Sequence, residues 1–296
     1  MERIGWIGLG LMGSRMLPHL MAAGHAAIVH DRLPELAAPH LAAGAAWADR
    51  PCDVASASDV VFTIVATPAD VEAVYLGPNG LLAGARPGLV LVDMTSSSVQ
   101  LARRLAETGA ALRVDVLDAP VSGGPAGAES GKLAIMVGGD AGALARVRPM
   151  LERMGAAVVH HGAAGAGQSM KITNQIAMAG AMLGICESFL FAKNNGLDQQ
   201  VVFDTLDVGI AGSPLMRYIW PRLAGRDMEP GFRVEHLIKD LGLALDAAHD
   251  ATIALPGVAL VKELFHEVRA AGYAGKGTQA LIAALDRRWE DDPDPS

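Results

Sequence analysis

Short apolar runs alternate with amphipathic stretches along the first 160 residues of the chain. Runs of strand length occupy residues 4–8, 27–30, 60–66, 89–92, 114–117, 134–137 and 157–160. Between them, apolar positions recur at helical spacing in residues 13–24, 36–44, 71–75, 99–109 and 142–154. Near-continuous apolar strands separated by helices predict an α/β fold, with a parallel sheet covered by helices on both faces.

The pattern changes at a glycine-rich segment, residues 162–167. From residue 168 onward the periodicity is helical and no strand pattern stands out. Helices are predicted over residues 168–195, 198–209, 216–224, 233–250, 255–271 and 278–290. We therefore predict two domains: an α/β domain over residues 1–163, and an all-α domain over residues 164–296 that is opened by one long helix.

Composition narrows the class of protein. With 51% hydrophobic and 19% charged residues, the chain can bury a core, which excludes wholesale disorder. A net charge of −8 without a block of basic residues disfavours nucleic acid or an anionic membrane as a partner. The longest uncharged apolar segment, residues 172–186, contains polar side chains and is shorter than a membrane-spanning helix.

The two cysteines, Cys52 and Cys186, are isolated thiols without the spacing of metal ligands. Isolated thiols fit a reducing compartment, and the first residues lack the apolar core of a signal peptide. We therefore expect a cytoplasmic protein without a metal site.

The first predicted strand is followed directly by the run Gly8-Leu9-Gly10-Leu11-Met12-Gly13, which precedes the first predicted helix. Gly8 permits a tight turn, Gly10 lets a pyrophosphate approach the backbone, and Gly13 allows close packing of helix on strand. The helix N-terminus then presents free amides to the phosphates. This order of strand, glycine-rich turn and helix predicts a Rossmann-type, doubly wound sheet that binds a dinucleotide.

The second predicted strand ends at Asp31 and Arg32. An acid at this position accepts hydrogen bonds from the adenosine ribose and repels a 2′-phosphate, which favours NAD. A guanidinium beside it can pair with a 2′-phosphate, so Arg32 keeps NADP open. We favour NAD as the cofactor, with NADP as the alternative.

Three polar segments follow later strands or open the long helix. Thr95 lies in a hydroxyl-rich turn after one strand, and the loop Ser122-Gly123-Gly124 offers a hydroxyl and flexible amides that could hold a carboxylate. In open α/β sheets, ligands bind beyond the carboxyl ends of the strands, where both segments fall. At the start of the long helix, one face carries the polar residues Gln168, Lys171, Asn174 and Gln175.

These segments together resemble the β-hydroxyacid dehydrogenase family of the 6-phosphogluconate dehydrogenase superfamily, which includes 3-hydroxyisobutyrate dehydrogenases and tartronate semialdehyde reductases. The resemblance rests on residues 7–13, on residues 118–124, and on the block Gly167-Gln-x-x-Lys171-x-x-Asn174. Residues 239–245, which follow Phe232, fit the family pattern as well. The four segments occur in the family's order, and the resemblance covers nearly the whole chain.

The resemblance implies a role for each matching residue. Lys171 corresponds to the family's general acid/base, and Thr95 and Lys239 to residues that contact the cofactor near the nicotinamide. The residues that correspond to the substrate site are Ser122, Gly123, Gly124, Asn174, Gln175, Phe232 and Asp240. Of these, Phe232 and Asp240 match positions that close the family's cleft from the helical domain, and Gln175 stands where many members carry a second asparagine.

The activity implied is hydride transfer between NAD(P) and a small β-hydroxy acid or its aldehyde acid, by a homodimer or homotetramer. Two alternatives are an imine reductase, which shares the two-domain plan and uses NADPH, and a non-catalytic dinucleotide-binding scaffold. Imine reductases tend to carry Asp or Tyr at the position of the lysine, and a scaffold would have no need of it. Lys171 therefore argues against both.

Overall fold

The computed structural model describes residues 2–286 and 289 of the 296-residue chain. It divides into two compact units, which meet in the sequence between Lys171 and Ile172. This junction lies inside the long helix that the periodicity predicts to begin the helical domain.

The first unit contains a sheet of nine strands within the described residues. The strands are β1 (Ile4–Ile7), β2 (Ala27–His30), β3 (Ala46–Trp47), β4 (Val60–Thr63), β5 (Val90–Asp93), β6 (Asp115–Asp118), β7 (Val121–Ser122), β8 (Leu133–Gly138) and β9 (Gly155–Gly162). The first six lie in the order β3-β2-β1-β4-β5-β6 and pair in parallel. This is the doubly wound order, whose direction reverses between β1 and β4 and leaves a ligand crevice at the carboxyl ends of the strands.

The prediction of a parallel, doubly wound sheet is confirmed for these six strands, and the rest of the sheet is mixed. β8 runs antiparallel to β6 and β7, and β9 runs parallel to β8. The sequence pattern predicts seven of the strands but misses β3 and β7, because two residues are too few to show a periodicity. The omission of β7 matters, since its pairing of Ser122 with Ala134 fixes the start of the predicted substrate loop to the sheet.

Helices cover both faces of this sheet. They are α1 (Gly13–Ala22), α2 (Ala38–Ala42), α3 (Pro51–Ala57), α4 (Pro68–Leu76), α5 (Val99–Ala111), α6 (Gly124–Glu129) and α7 (Ala141–Met154). Alternate strand residues enter two separate apolar clusters, so that Trp6 packs with α1 and α7 while its neighbour Ile7 packs with α3, α4 and α5. The rings of Trp6 and Phe62 stack at 5.6 Å between centroids. Burial on both faces explains the near-continuous apolar runs of the central strands β1, β4 and β5.

The second unit is helical. The long helix α8 (Ala166–Asn194) runs into it from the first unit, and is followed by α9 (Gln199–Val208), α10 (Pro214–Ala224), α11 (Val234–Asp250), α12 (Pro256–Val268) and α13 (Ile282–Leu285). Among its described residues the only extended pairing is an isolated bridge between Arg233 and Gly277. The helix predicted over 278–290 begins as a 3-10 turn, and its last residues, apart from 289, lie outside the described part of the chain.

Helix α8 covers almost the range that the periodicity predicts, residues 168–195, and is apolar along much of its length. It spans 29 residues, and by length and composition alone it could cross a membrane. A core helix of a soluble protein has the same properties, so one such helix is weak evidence for a membrane span. In its most apolar stretch 39% of the residues are buried, which leaves much of its surface uncovered within one chain.

Candidate active site

The glycine-rich loop after β1 shows which of its glycines the fold requires. Gly8 has a φ of 99°, and a Cβ there would lie 2.0 Å from the carbonyl oxygen of Ile64. A Cβ on Gly13 would lie 1.9 Å from the carbonyl oxygen of Gly8. At Gly10, by contrast, a Cβ would meet no atom within 4 Å. Folding therefore does not explain Gly10, and the close approach of a pyrophosphate to its backbone stays a prediction.

The space beside this loop can accept a dinucleotide phosphate. Helix α1 follows Met12 and has no side-chain cap among the described residues. The amides of Ser14 and Arg15 donate to the carbonyls of Gly10 and Met12, so the amides of the preceding loop, residues 10–13, are the ones left for an anion. A cavity of about 800 Å³ adjoins the loop; Leu9, Gly10 and Leu11 are among its lining residues, most of which come from α1 and residues 35–43. The residues present therefore fit a bound NAD(P).

Asp31, at the end of β2, is bonded to the backbone on both of its oxygens. Its Oδ2 accepts the amide of Leu9 at 2.7 Å, and its Oδ1 accepts the amide of Leu33 at 2.9 Å. The side chain is buried, with 9% of its surface exposed. Asp31 therefore holds the glycine-rich loop against β2, and its contact with the ribose stays a prediction.

Arg32 points in a different direction from its neighbour. Its side chain is 74% exposed, and its Nη1 lies 3.4 Å from Oδ1 of Asp70 in the first turn of α4. The other oxygen of Asp70 accepts the amide of Thr67 at 3.0 Å and the hydroxyl of Thr67 at 2.7 Å. The guanidinium therefore lies beside a carboxylate that the helix cap keeps in place.

Thr95 belongs to a buried hydrogen-bond network at the ends of β4 and β5. The hydroxyl of Thr95 accepts the amide of Val65 at 3.0 Å, and its own amide donates to Asp93 at 3.1 Å. Asp93 also accepts the hydroxyl of Thr63, which lies 3.0 Å from the hydroxyl of Tyr75. Burial raises the pKa of Asp93 to about 6, although hydrogen bonds from Thr95 and Thr63 favour its ionised form.

Asp118 and Gln168 attach the first turn of α8 to the end of the sheet. Asp118, the last residue of β6, accepts the amide of Gly165 at 2.7 Å and the amide of Gln168 at 2.8 Å. The fully buried side chain of Gln168 donates to the carbonyl of Thr95 at 2.7 Å and accepts the amide of Ser97 at 2.9 Å. Burial raises the pKa of Asp118, and the amides of the α8 N-terminus oppose this rise.

The sequence motifs assign no role of their own to Asp118 or Gln168. Gln168 stands three residues before Lys171 on the polar face of α8, and that spacing was the available signal. Both the carbonyl and the amino group of the Gln168 side chain are hydrogen-bonded, which fixes the first turn of α8. The backbone of Lys171 is fixed with it, because Lys171 lies one turn further along the same helix. The structure thus places Lys171, which is 8% exposed, one turn after a rigid attachment to the Thr95 loop.

The predicted substrate loop follows β7. Ser122 is partly buried, and Gly123 and Gly124 have φ values of 133° and 61°. Both values are typical of glycine, and they turn the chain sharply between β7 and α6. The loop has the backbone freedom that an anion cradle needs, and carboxylate binding there stays a prediction.

The second unit brings four of the predicted residues into one chain of polar contacts. Asn174 Nδ2 donates to Gln175 Oε1 at 2.9 Å, and Gln175 Nε2 donates to Asp240 Oδ2 at 2.6 Å. Lys239 Nζ lies 3.1 Å from Oδ1 of the same aspartate. Gln175 and Asp240 are buried, so the lysine supplies the charge that a buried carboxylate requires. Gln175 therefore orients its neighbour Asn174.

Phe232 lies just before α11 and is partly buried. Its ring centroid is 6.2 Å from that of His236, whose pKa is lowered by burial. Phe232 does not join the polar contacts of Asn174 within the described contacts of this unit. Across residues 2–286 and 289, no group of three or more His, Cys, Asp or Glu side chains could hold a metal ion.

Family models match both parts of the chain. Residues 3–162 match the NAD binding domain of 6-phosphogluconate dehydrogenase, and residues 165–285 match the domain described as NAD-binding of NADP-dependent 3-hydroxyisobutyrate dehydrogenase. The fold, the glycine-rich loop and these matches define an NAD(P)-dependent oxidoreductase.

Relatives agree along nearly the whole chain. A probable 3-hydroxyisobutyrate dehydrogenase-like 1 protein of Arabidopsis thaliana is 43% identical over 96% of this chain and 85% of its own. The 2-hydroxy-3-oxopropionate reductase of Escherichia coli is 38% identical over 96% and 97%. The solved structure of Mycobacterium tuberculosis 3-hydroxyisobutyrate dehydrogenase with L-serine is 34% identical, with a TM-score of 0.88 and 96% and 99% coverage. The chain belongs to the β-hydroxyacid dehydrogenase family, as its sequence motifs predict.

Two substitutions in the glycine-rich loop should separate folding from cofactor binding. Gly13→Ala forces a Cβ against the Gly8 carbonyl, and we expect it to lower the free energy of unfolding by about 1–3 kcal/mol. Gly10→Ala should change that free energy by less than about 0.5 kcal/mol, yet weaken binding of the dinucleotide. Urea denaturation without cofactor and fluorescence titration with NAD⁺ and NADP⁺ measure the two effects. A similar loss of stability in both variants would contradict this division of roles.

The buried carboxyl of Asp93 should make stability depend on pH. Because folding raises its pKa from 3.8 to about 6, its ionisation opposes folding, and the free energy of unfolding should fall as pH rises from about 4 towards 7. The full effect is on the order of 3 kcal/mol. Asp93→Asn removes this titration, and urea denaturation at pH 4.5 and 7 measures the difference. Asp115→Asn, at an exposed position on β6, is the control. An unchanged pH dependence in Asp93→Asn would refute the assignment.

Proposed function

We propose that Lys171 is the general acid/base of this hydroxyacid dehydrogenase, and that the substrate is a small β-hydroxy acid or its aldehyde acid of the 3-hydroxyisobutyrate and tartronate semialdehyde type. The observation that carries the proposal is the attachment of α8 to the Thr95 loop through Gln168. It fixes a buried lysine near the carboxyl ends of the strands, where ligands of doubly wound sheets bind.

The first domain, over residues 1–163, would bind the cofactor, and residues 164–296 would complete the substrate site. The bound nicotinamide supplies the hydride acceptor or donor. The loop from Gly8 to Gly13 would hold the pyrophosphate, and Asp31 would keep that loop in shape. Thr95 and Lys239 would contact the cofactor near the nicotinamide, as the family pattern implies. Both NAD and NADP are cofactors of the family.

The chain's own groups would then bind the substrate and move one proton. Ser122, Gly123 and Gly124 would hold the substrate carboxylate with a hydroxyl and backbone amides. Asn174, oriented by Gln175, would contact the reacting oxygen. In oxidation the neutral amine of Lys171 takes the hydroxyl proton as hydride leaves the adjacent carbon. In reduction the ammonium returns a proton to the carbonyl oxygen.

Asp240 and Phe232 would act from the helical part of the chain. Asp240 holds Gln175 and Lys239 together at 2.6 and 3.1 Å, so it would position one residue for the substrate and one for the cofactor. Phe232 offers an apolar, partly buried ring that would help to exclude water from the substrate.

An imine reductase is disfavoured by the lysine and by the relatives at 38–43% identity, which are named for hydroxy or oxo acid substrates. A non-catalytic scaffold is disfavoured by the buried, anchored position of Lys171. We propose that the protein is cytoplasmic and acts on a small carboxylate-bearing substrate, without nucleic acid or membrane as a partner.

We also propose that the protein is a homodimer or homotetramer. The second unit exposes large apolar side chains at Phe191 (71%), Val201 (62%), Val208 (89%) and Ile210 (107%). Helix α9 has no buried residue at all. Apolar surface of this extent is typical of an interface, and a second copy of the chain would cover it.

Replacement of Lys171 tests the proposed chemistry. Lys171→Ala should leave affinity for the dinucleotide within about threefold, and lower kcat at least about 100-fold, because general acid/base catalysis typically supplies 10²–10⁴. Absorbance at the nicotinamide band measures turnover over a panel of 3-hydroxyisobutyrate, tartronate semialdehyde, succinic semialdehyde, threonate and serine. Lys132→Ala, at an exposed position, is the control. Full turnover in Lys171→Ala would refute the role of the lysine.

The oligomer is tested by charging the exposed apolar surface. The double variant Val208→Lys, Ile210→Lys should dissociate a dimer or tetramer, because burying two unpaired ammonium groups is unfavourable. Light scattering on a sizing column gives the mass. Leu112→Lys places the same charge on an exposed leucine of the first unit and should leave the mass unchanged. A monomeric wild-type protein would contradict the proposal outright.

A further inference from the structure

We propose that Asp70 sets the coenzyme preference of this protein towards NAD, by neutralising Arg32 and repelling a 2′-phosphate. The inference rests on the proposed function in one respect, that the adenosine ribose lies at the end of β2. It assigns the choice between coenzymes to a residue on α4, rather than to Asp31, the acid that follows β2.

Asp31 is poorly placed to make this choice alone. Each of its oxygens already accepts a backbone amide, from Leu9 and from Leu33, and 9% of the residue is exposed. Its charge is thus partly offset by two N–H dipoles and shielded by burial. The more exposed charged group at this edge is the guanidinium of Arg32, with 74% of its side chain accessible.

Arg32 by itself would favour NADP, because a guanidinium binds phosphate well. Its Nη1 lies 3.4 Å from Oδ1 of Asp70, however, so the positive charge already has a counter-ion. A 2′-phosphate that approached Arg32 would also approach this carboxylate. The repulsion between the two anions offsets the attraction to the arginine, whereas a ribose hydroxyl experiences neither effect strongly.

Asp70 cannot easily move away from Arg32. It occupies the third position of α4 and forms a capping box with Thr67, in which Asp70 Oδ2 accepts the amide and hydroxyl of Thr67 while the hydroxyl accepts the amide of Asp70 at 3.1 Å. These bonds hold one oxygen and leave the other towards Arg32. The negative charge beside the proposed 2′ position is therefore fixed by the helix terminus.

The test compares Asp70→Glu with Asp70→Gln. Both residues are found at the third position of a capping box, so both should preserve the start of α4, and they differ in charge alone. Glu72→Gln is the matched control, because Glu72 lies on the same helix and pairs with another arginine, Arg104. Dissociation constants for NAD⁺ and NADP⁺ are measured by calorimetric titration without substrate, at low and high salt.

We expect Asp70→Gln to bind NADP⁺ about fivefold more tightly than wild type, with NAD⁺ affinity unchanged within about twofold. Asp70→Glu and Glu72→Gln should retain the wild-type ratio of the two affinities. The gain in NADP⁺ affinity should shrink at high salt, because the groups are partly exposed. Equal NADP⁺ affinities in the Glu and Gln variants would overturn the proposal. If the wild-type protein bound neither dinucleotide, the proposed function would fail and this inference with it.

Discussion

The N-terminus of α8 is held by two side chains, and most of the candidate site depends on how they do it. Asp118 accepts amides from the start of the helix, and Gln168 spans the carbonyl of Thr95 and the amide of Ser97. A helix of 29 residues would otherwise meet the sheet through a glycine-rich, conformationally free segment. Because buried, fully bonded polar groups allow few arrangements, these bonds give Lys171 a defined place relative to the strand ends.

The loops at these strand ends are held by two carboxylates that are buried side by side. Asp93 and Asp118 are paired in register on the parallel strands β5 and β6, and burial raises the pKa of each. Both carboxylates are surrounded by donors: the hydroxyl of Thr63, the amide of Thr95 and the amides at the start of α8. The site is thus organised by acids whose oxygens hold loops, and the residue proposed to react stands on the helix that those loops support.

Near the glycine-rich loop, a buried acid again holds backbone amides. Asp31 directly follows the last residue of β2, and its oxygens accept the amides of Leu9 and Leu33. The exposed charged group beside Asp31 is the guanidinium of Arg32. Its partner Asp70 lies on α4, 38 residues further along the chain. Coenzyme preference would then depend on a pair of charges and not on one acid. Family membership supports NAD(P) and leaves that balance to the residues of the individual chain.

By itself, the sequence determined the features that depend on neighbouring residues: seven strands, the helices of the second half, the glycine-rich loop and the polar face with Lys171. It missed β7, which exists through its pairing with β8, and it could not give Gln175 its partner, Asp240, 65 residues away. Hydrophobic periodicity indicates which face of a segment is buried. It does not indicate which polar side chains, distant in sequence, form hydrogen bonds with one another. Only the tertiary structure decided that, because a buried carboxylate or amide takes whichever donor the fold brings within hydrogen-bonding distance.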